Sequence, residues 1–226
     1  MAEPFSVLFS ILNGYAHYSG LRGLQRELPR NYPLMPFYRL FGYFGMGCWF
    51  WSAMFHTRDF VFTERMDYFA AGASVLYGMY LAPVRVYRLY KPAQKRTLRL
   101  WTLTCCAAYA AHFYYLQFIK WDYTYNMAAN VVVGALQNGL WTYFSIKQYN
   151  QKRSLWAAGP GLIVTWLVMA MSLELLDFPP VLQSIDAHSL WHAATIFPAY
   201  MWYKFLLADG KRHVGGAVVG GSRFKE

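Results

Sequence analysis

Apolar stretches long enough to cross a bilayer follow one another along almost the whole chain. Hydrophobic residues make up 57% of the sequence and charged residues 14%, whereas ordinary soluble domains average about 45–50% and about 25%. Six stretches reach the roughly 17–25 residues of a membrane-spanning helix: Phe37–Phe55, Tyr68–Tyr87, Trp101–Ile119, Asn126–Ile146, Leu155–Leu176 and Ala187–Ala208. A seventh candidate, Phe5–Gly20, is shorter and carries Asn13 and His17. The pattern predicts an all-α, polytopic membrane protein whose seven-transmembrane helix bundle covers residues 1–208.

The basic residues agree with this arrangement. When Phe5–Gly20 is counted as the first span, 18 of the 21 Lys and Arg residues lie in or next to the segments that follow spans 1, 3, 5 and 7. Because short cytoplasmic loops are enriched in Lys and Arg, this alternation predicts a lumenal N-terminus and a cytosolic C-terminus. The net charge of +10 is accompanied by no nucleic-acid-binding motif, so we expect no nucleic-acid partner. The glycine-rich residues 209–226 are expected to form a flexible cytosolic tail.

Polar residues that carry chemistry occur in two groups at opposite ends of the chain. Ser52 and His56 are four residues apart near the outer end of the second span, and Asp67 is expected to open the third span on the same side. His188 and His192 have the same spacing in the first two turns of the last span, so each pair lies on one helix face. The topology therefore brings all five residues to one membrane surface.

Three histidines in such a position are typical of a metal-dependent hydrolase. Neutral imidazoles suit Zn²⁺, and three protein ligands leave a fourth position for a water whose pKa falls to about 7. We expect His56, His188 and His192 to bind zinc. Ser52 would stabilise the oxyanion or position the water, and Asp67 would act as general base or as hydrogen-bond partner of a ligand. Alternatively, Ser52 attacks covalently with His56 as base, which leaves the second histidine pair without a role.

The remaining polar residues of the spans have simpler interpretations. A histidine in a membrane helix is often a hydrogen-bonded packing residue, and we expect His17, His112 and His213 to lie outside the site. Asp186 has the position of an N-cap for the last span. The three cysteines show no disulfide or zinc-ribbon spacing and are expected to pack as small apolar residues.

Five sequence strings, in order along the chain, resemble the Per-like family, that of post-GPI-attachment to proteins factor 3. They are WFWSAMFHTRD (Trp49 to Asp59), MDYF (Met66 to Phe69), WDYTYNMAANVVVG (Trp121 to Gly134), SLELLDFPP (Ser172 to Pro180) and DAHSLWH (Asp186 to His192). That family is grouped with alkaline ceramidases and progestin/adipoQ receptors, which share a Ser-x3-His, a following Asp and a paired HxxxH. Here this pattern falls on Ser52, His56, Asp67, His188 and His192.

The resemblance implies a seven-span protein of the endoplasmic reticulum or Golgi membrane that remodels GPI-anchor lipids. It would hydrolyse the unsaturated sn-2 acyl ester of GPI-anchored proteins, a phospholipase A2-type reaction, with zinc chemistry supplied by the wider superfamily. GPI-anchored proteins and membrane lipids would then be its partners. The family usually carries a cleaved signal peptide and a Cys-containing lumenal segment before the first span, so we expect an incomplete chain or a shortened member.

Two other functions are compatible with the same residues. A ceramidase-like amide hydrolase would use the same zinc chemistry on a different lipid. A non-enzymatic seven-helix receptor or GPI-protein sorting factor would use the histidines as a structural metal site or as a bis-His haem site.

Overall fold

The regular structure of the protein is helical throughout the residues that the structure, a computed structural model, describes: 3–176, 178 and 185–219. The α-helices are α1 (Pro4–Glu27), α2 (Met35–Thr57), α3 (Val61–Val86), α4 (Lys95–Tyr114), α5 (Tyr123–Lys152), α6 (Leu155–Leu176) and α7 (Ala187–Val219). A short 3-10 turn, Pro92–Gln94, precedes α4, and a π-helical turn, Tyr115–Ile119, follows it. The predicted all-α class is confirmed.

Local sequence explains where several helices begin and end. Proline occupies the first turn of both α1 and α2, where its missing N–H costs nothing. The Asp122 carboxylate accepts the Tyr125 backbone N–H at 3.0 Å and caps α5. α5 ends at Lys152, and the next residue, Arg153, adopts a left-handed conformation with φ of 49°. Each of the predicted spans, including the short first one, Phe5–Gly20, corresponds to a helix.

Six of the helices form a closed ring. Neighbours in the ring are α1 and α2, α2 and α3, α3 and α5, α5 and α6, α6 and α7, and finally α7 and α1. α4 lies outside the ring and packs against α3. Because α1 lies between α2 and α7, it can supply side chains to any site formed where those two helices approach each other.

Two of the described helices, Val61–Val86 and Leu155–Leu175, are long and apolar enough to cross a membrane. The number of spans predicted from the sequence therefore remains a prediction.

The large side chains of the core pack at the end of the bundle formed by the last turns of α1 and α3. Trp141, for example, contacts Trp202 in an edge-to-face arrangement with ring centroids 4.8 Å apart. Leu24, Leu81 and Leu206 are almost completely buried in the same cluster. The opposite end of the ring contains mainly polar buried residues, and the predicted site residues lie there.

Residues 209–219, which are expected to belong to a flexible tail, continue α7 to Val219. Asp209 accepts two hydrogen bonds of 2.6 Å from the Arg85 guanidinium of α3. The next residue, Gly210, packs closely against Leu28 at the end of α1. The predicted boundary at 208 falls within α7 and stays a prediction, and residues 220–226 lie outside the described part of the chain.

Candidate metal centre

Three histidines that are far apart in sequence meet at the polar end of the ring. His56 is in the last turn of α2, whereas His188 and His192 are in the first two turns of α7. One ligand nitrogen from each lies within 4.8 Å of the others. The two Nε2 atoms of His56 and His188 are 3.3 Å apart. Nitrogens bound to one tetrahedral zinc at about 2.0–2.1 Å are separated by roughly 3.4 Å, so the donor set fits this ion.

The same short separation argues against a bis-His haem between His56 and His188. A porphyrin would have to lie between the two imidazoles, and atoms 3.3 Å apart leave no space for its plane. Three converging imidazoles are also one more than axial ligation of haem requires.

The Nδ1 atom of each of the three imidazoles lies within hydrogen-bond distance of a neighbouring side chain. His56 Nδ1 lies 2.7 Å from a carboxylate oxygen of Glu3, and His188 Nδ1 lies 2.7 Å from a carboxylate oxygen of Glu174. His192 Nδ1 lies 3.0 Å from the Ser10 hydroxyl. Acceptors at Nδ1 fix the ring orientation and leave Nε2 for a metal, as is usual for metal-binding histidines.

The Ser10 hydroxyl also connects this centre to Ser52. Its hydrogen is donated to the Ser6 carbonyl at 2.7 Å. The 3.0 Å contacts to His192 Nδ1 and to the Ser52 hydroxyl must therefore place both as donors to Ser10. Ser52 thus forms its hydrogen bond with Ser10 rather than with His56, a pairing that does not favour the covalent interpretation.

The contribution of α1 was not predicted from the sequence. Ser6, Ser10 and Asn13 are almost completely buried, and the Asn13 amide donates to the His192 carbonyl at 2.8 Å. These residues recur at helical spacing on one face of an otherwise apolar segment. That polar stripe was the signal that could have identified α1 as part of the site.

Asp67 lies deeper in its helix than expected. α3 begins at Val61 with Phe60 as the N-cap residue, so Asp67 is in the second turn and does not open or cap the helix. No hydrogen bond reaches its carboxylate from the described residues, although its charge interacts with that of His188. Asp67 is therefore near the centre with its oxygens available.

Hydrogen bonds at the start of α7 fix the position of His188 and His192. The Asp186 carboxylate accepts the Ser189 backbone N–H at 2.7 Å, and the Ser189 hydroxyl accepts the Asp186 N–H at 3.0 Å. Burial opposes ionisation of Asp186, but the hydrogen bond from the Ser189 amide keeps its pKa below the usual value. The interpretation of Asp186 as an N-cap is confirmed.

The other histidines lie elsewhere, as expected. The His17 Nδ1 atom is 3.0 Å from the Tyr203 hydroxyl, and His213 contacts Tyr90 near the far end of the bundle. His112 is in α4, which packs against α3 outside the ring. These three therefore take no part in the three-histidine centre.

The chain is similar in sequence to known proteins over most of its length. The chain is 42% identical to "Protein PER1 homolog" of Schizosaccharomyces pombe, with 91% of this chain and 62% of that protein aligned. It is 37% and 36% identical to proteins named "GPI-specific phospholipase A2-like PGAP3" from Danio rerio and Homo sapiens. Those alignments cover 92% of this chain and 64% and 63% of the relatives. The chain thus spans less than two thirds of these curated relatives.

No solved structure is significantly similar to this chain. The family assignment therefore depends on sequence. Residues 1–210 match the model of the Per1-like family, which includes all five residues of the predicted site. The chain belongs to the Per1-like family.

Proposed function

We propose that the protein is a zinc-dependent acyl-ester hydrolase that remodels the lipid of GPI-anchored proteins. The observation that carries this proposal is the convergence of His56, His188 and His192, each with Nδ1 held by a separate acceptor. The substrate class comes from relatives named GPI-specific phospholipase A2-like. We infer a phospholipase A2-type cleavage of the sn-2 ester.

The proposal includes a seven-span arrangement in the endoplasmic reticulum or Golgi membrane over residues 1–208, with the N-terminus in the lumen. Support comes from α1, which buries Ser10 and Asn13 while Leu8 and Ile11 on its other face are 47% and 57% exposed. α6 similarly exposes large apolar residues such as Met169 at 68%. A helix that is polar inside and apolar outside suits a lipid environment rather than water.

The site lies at the end of the bundle that this topology assigns to the lumenal surface. GPI lipids are in the lumenal leaflet once protein is attached, so the glycerol region of the substrate could reach the histidines between helices. GPI-anchored proteins are therefore the proposed partners. A zinc ion bound by the three histidines would supply Lewis acidity toward the ester carbonyl and a water-derived nucleophile near neutral pH.

The surrounding residues of this chain orient the centre. Glu3 and Glu174 accept the Nδ1 protons of His56 and His188, so both rings present Nε2 in a fixed direction. Carboxylate partners also make imidazole a more basic ligand. Ser10 performs the same function for His192 as an uncharged acceptor.

Ser52 is proposed to position the attacking water. Its hydroxyl hydrogen is directed to Ser10, so the lone pairs of its oxygen are available to accept a hydrogen from water. An oxyanion role would require the hydroxyl to rotate and lose this hydrogen bond. Positioning of the attacking water by Ser52 requires no such rotation.

Asp67 is proposed to accept the proton released during attack. Its carboxylate interacts with His188 but receives no hydrogen bond from the described residues, so an oxygen is free for this role. The same group, once protonated, would return the proton to the leaving alkoxide of the glycerol.

The proposal is tested in cells that lack the protein, by mass spectrometry of GPI lipids and by zinc analysis of the purified protein. The wild-type chain should restore lyso-GPI formation, whereas His192→Ala should lose zinc and leave unsaturated diacyl GPI to accumulate. His213→Ala is the matched control, because His213 lies at the other end of α7, and it should retain both properties. Normal lyso-GPI formation by His192→Ala, or cleavage of ceramide in place of GPI, would contradict the proposal.

A further inference from the structure

A cavity of about 160 Å³ lies between α3, α4 and α5, apart from the three histidines. It is lined on α3 by Gly72 and Leu76, on α4 by His112, and on α5 by Tyr125 and Asn130. Gly72 is five residues beyond Asp67, which corresponds to about 7.5 Å along the helix axis. The cavity therefore lies deeper in the bundle than the candidate metal centre.

Two polar atoms of this cavity lie beside the space above Gly72. A Cβ placed on Gly72 would lie 3.5 Å from His112 Nε2 and 3.7 Å from Asn130 Oδ1. Because Gly72 has no side chain, this space remains open between the two atoms. A ligand group that enters the cavity above Gly72 would face both atoms.

Neighbouring contacts bear on the hydrogen-bonding character of both atoms. The Asn130 amide nitrogen donates to the backbone and side-chain oxygens of Asn126 at 3.0 and 3.2 Å, which leaves Asn130 Oδ1 as an acceptor. The Tyr125 hydroxyl is 3.4 Å from His112 Nδ1, and buried Asn126 also interacts with His112. In the tautomer whose Nδ1 accepts from Tyr125, the ring hydrogen is on Nε2, which is then a donor.

The rest of the lining carries no charge, and the Tyr109 hydroxyl within it donates to the Phe69 carbonyl at 2.8 Å. Leu76, Ala108, Ala129 and Val133 form the walls, and no Lys, Arg, Asp or Glu is present among the described lining residues. A phosphate or carboxylate group would be buried here without a counter-charge, which is strongly unfavourable. Ala108 is exposed on the outer side of α4, so the cavity is accessible from the surface that the proposed topology turns toward lipid.

We propose that this cavity binds the free hydroxyl group of a neutral lipid. A hydroxyl can accept from His112 Nε2–H and donate to Asn130 Oδ1 at the same time. An ester or amide carbonyl can only accept and would leave Asn130 Oδ1 unpaired. The apolar walls contact the adjoining hydrocarbon. Diacylglycerol and sterols share this chemistry.

The test uses photoactivatable diacylglycerol with the purified full chain in phosphatidylcholine nanodiscs. One probe carries the free glycerol hydroxyl, and a matched probe carries a methyl ether at that position. We expect the free-hydroxyl probe to label peptides of α3, α4 or α5 with an affinity about fivefold higher than the ether, which is typical of one neutral hydrogen bond.

Variants locate the interaction. Asn130→Leu should label equally with both probes, and Gly72→Leu should reduce labelling by both because its side chain fills the cavity. Gly134→Leu is the control in α5, since a Cβ at Gly134 meets no atom within 4 Å. If Gly72→Leu does not fold, the probe preference of Asn130→Leu still decides the question.

Two labelling results would overturn the proposal: equal labelling by the two probes in the wild-type protein, or an unchanged hydroxyl preference in Asn130→Leu. Competition by excess cholesterol or dioleoylglycerol distinguishes a sterol from a glyceride, and competition by neither would also overturn it. His192→Ala should label like the wild type, because binding requires no turnover. Loss of hydrolysis in that variant would therefore leave this proposal unaffected.

Discussion

The Ser10 hydroxyl lies 3.0 Å from Nδ1 of His192, although 182 residues separate them in sequence. The contact forms because α1 packs between α2 and α7, the two helices that carry the histidines. The same hydroxyl accepts a hydrogen bond from Ser52. α1 therefore links the two groups of residues that the sequence places at opposite ends of the chain.

Replacing Ser10 by Ala should weaken metal binding without unfolding the protein. His192 Nδ1 would lose its acceptor, and loss of such a partner typically lowers metal affinity or activity about 10–100-fold. Zinc affinity, measured by competition with a chelator, should fall in this range. Ser19→Ala is the matched control on α1, because the Ser19 hydroxyl bonds only to the Ala16 carbonyl in the described structure. Equal zinc affinity in the two variants would remove Ser10 from the site.

Two substitutions of Glu174 should distinguish a hydrogen-bonding role of this residue from a role in packing alone. In Glu174→Gln an amide oxygen can still accept the His188 Nδ1–H, whereas in Glu174→Ala no acceptor remains. We therefore expect zinc affinity to decrease in the order wild type, Glu174→Gln, Glu174→Ala, with the last about 10–100-fold below the first. Asp59→Asn, an exposed change in the loop after α2, should match the wild type. Identical losses in the Gln and Ala variants would indicate that charge alone matters.

The Ser52–His56 pair and the His188–His192 pair could be predicted to meet, because residue spacing and the alternation of basic loops can be read from short stretches of sequence. Four-residue spacing fixes a helix face, and basic loops fix which helix ends share a side. The bounds of α6 coincide with the predicted span Leu155–Leu176, because continuous apolar residues determine both. These features depend on short sequence ranges and required no knowledge of which helices are neighbours.

The partners of the histidines could not be predicted in the same way. Glu3, Ser10 and Glu174 become important only because α1 and α6 flank α7 in the ring. From sequence, Asn13 reduced the apparent membrane character of α1, yet the residue is fully buried against α7. The partner of Asp209 is likewise distant in sequence, because Arg85 is 124 positions away.

The Arg85–Asp209 pair should be important for stability. The side chains are 12% and 2% exposed and form two parallel hydrogen bonds of 2.6 Å. Removal of one partner leaves a buried charge uncompensated, so Asp209→Ala should lower the free energy of unfolding by about 3–5 kcal/mol. Denaturant unfolding in detergent micelles measures this loss.

The double variant Arg85→Leu/Asp209→Leu tests the cause of that loss. Because it contains neither charge, it should be more stable than Asp209→Ala. The exposed pair of Glu27 and Lys211 links the same helix α7 to α1, and Glu27→Ala should have little effect. A double variant no more stable than the single one would attribute the loss to packing rather than to the unpaired charge.

Gly45 and Gly47 of α2 provide a matched test of helix packing near the centre of the bundle. A Cβ on Gly45 would overlap the His17 ring, which is held by the Tyr203 hydroxyl at 3.0 Å and cannot move away freely. Gly45→Ala should therefore destabilise the protein by about 1–3 kcal/mol through overpacking. A Cβ on Gly47 meets no atom within 4 Å, so Gly47→Ala should be neutral or stabilise the helix by up to about 1 kcal/mol. Unfolding of both variants under the same conditions measures the difference, and equal stabilities would contradict the close contact of α1 and α2 at His17.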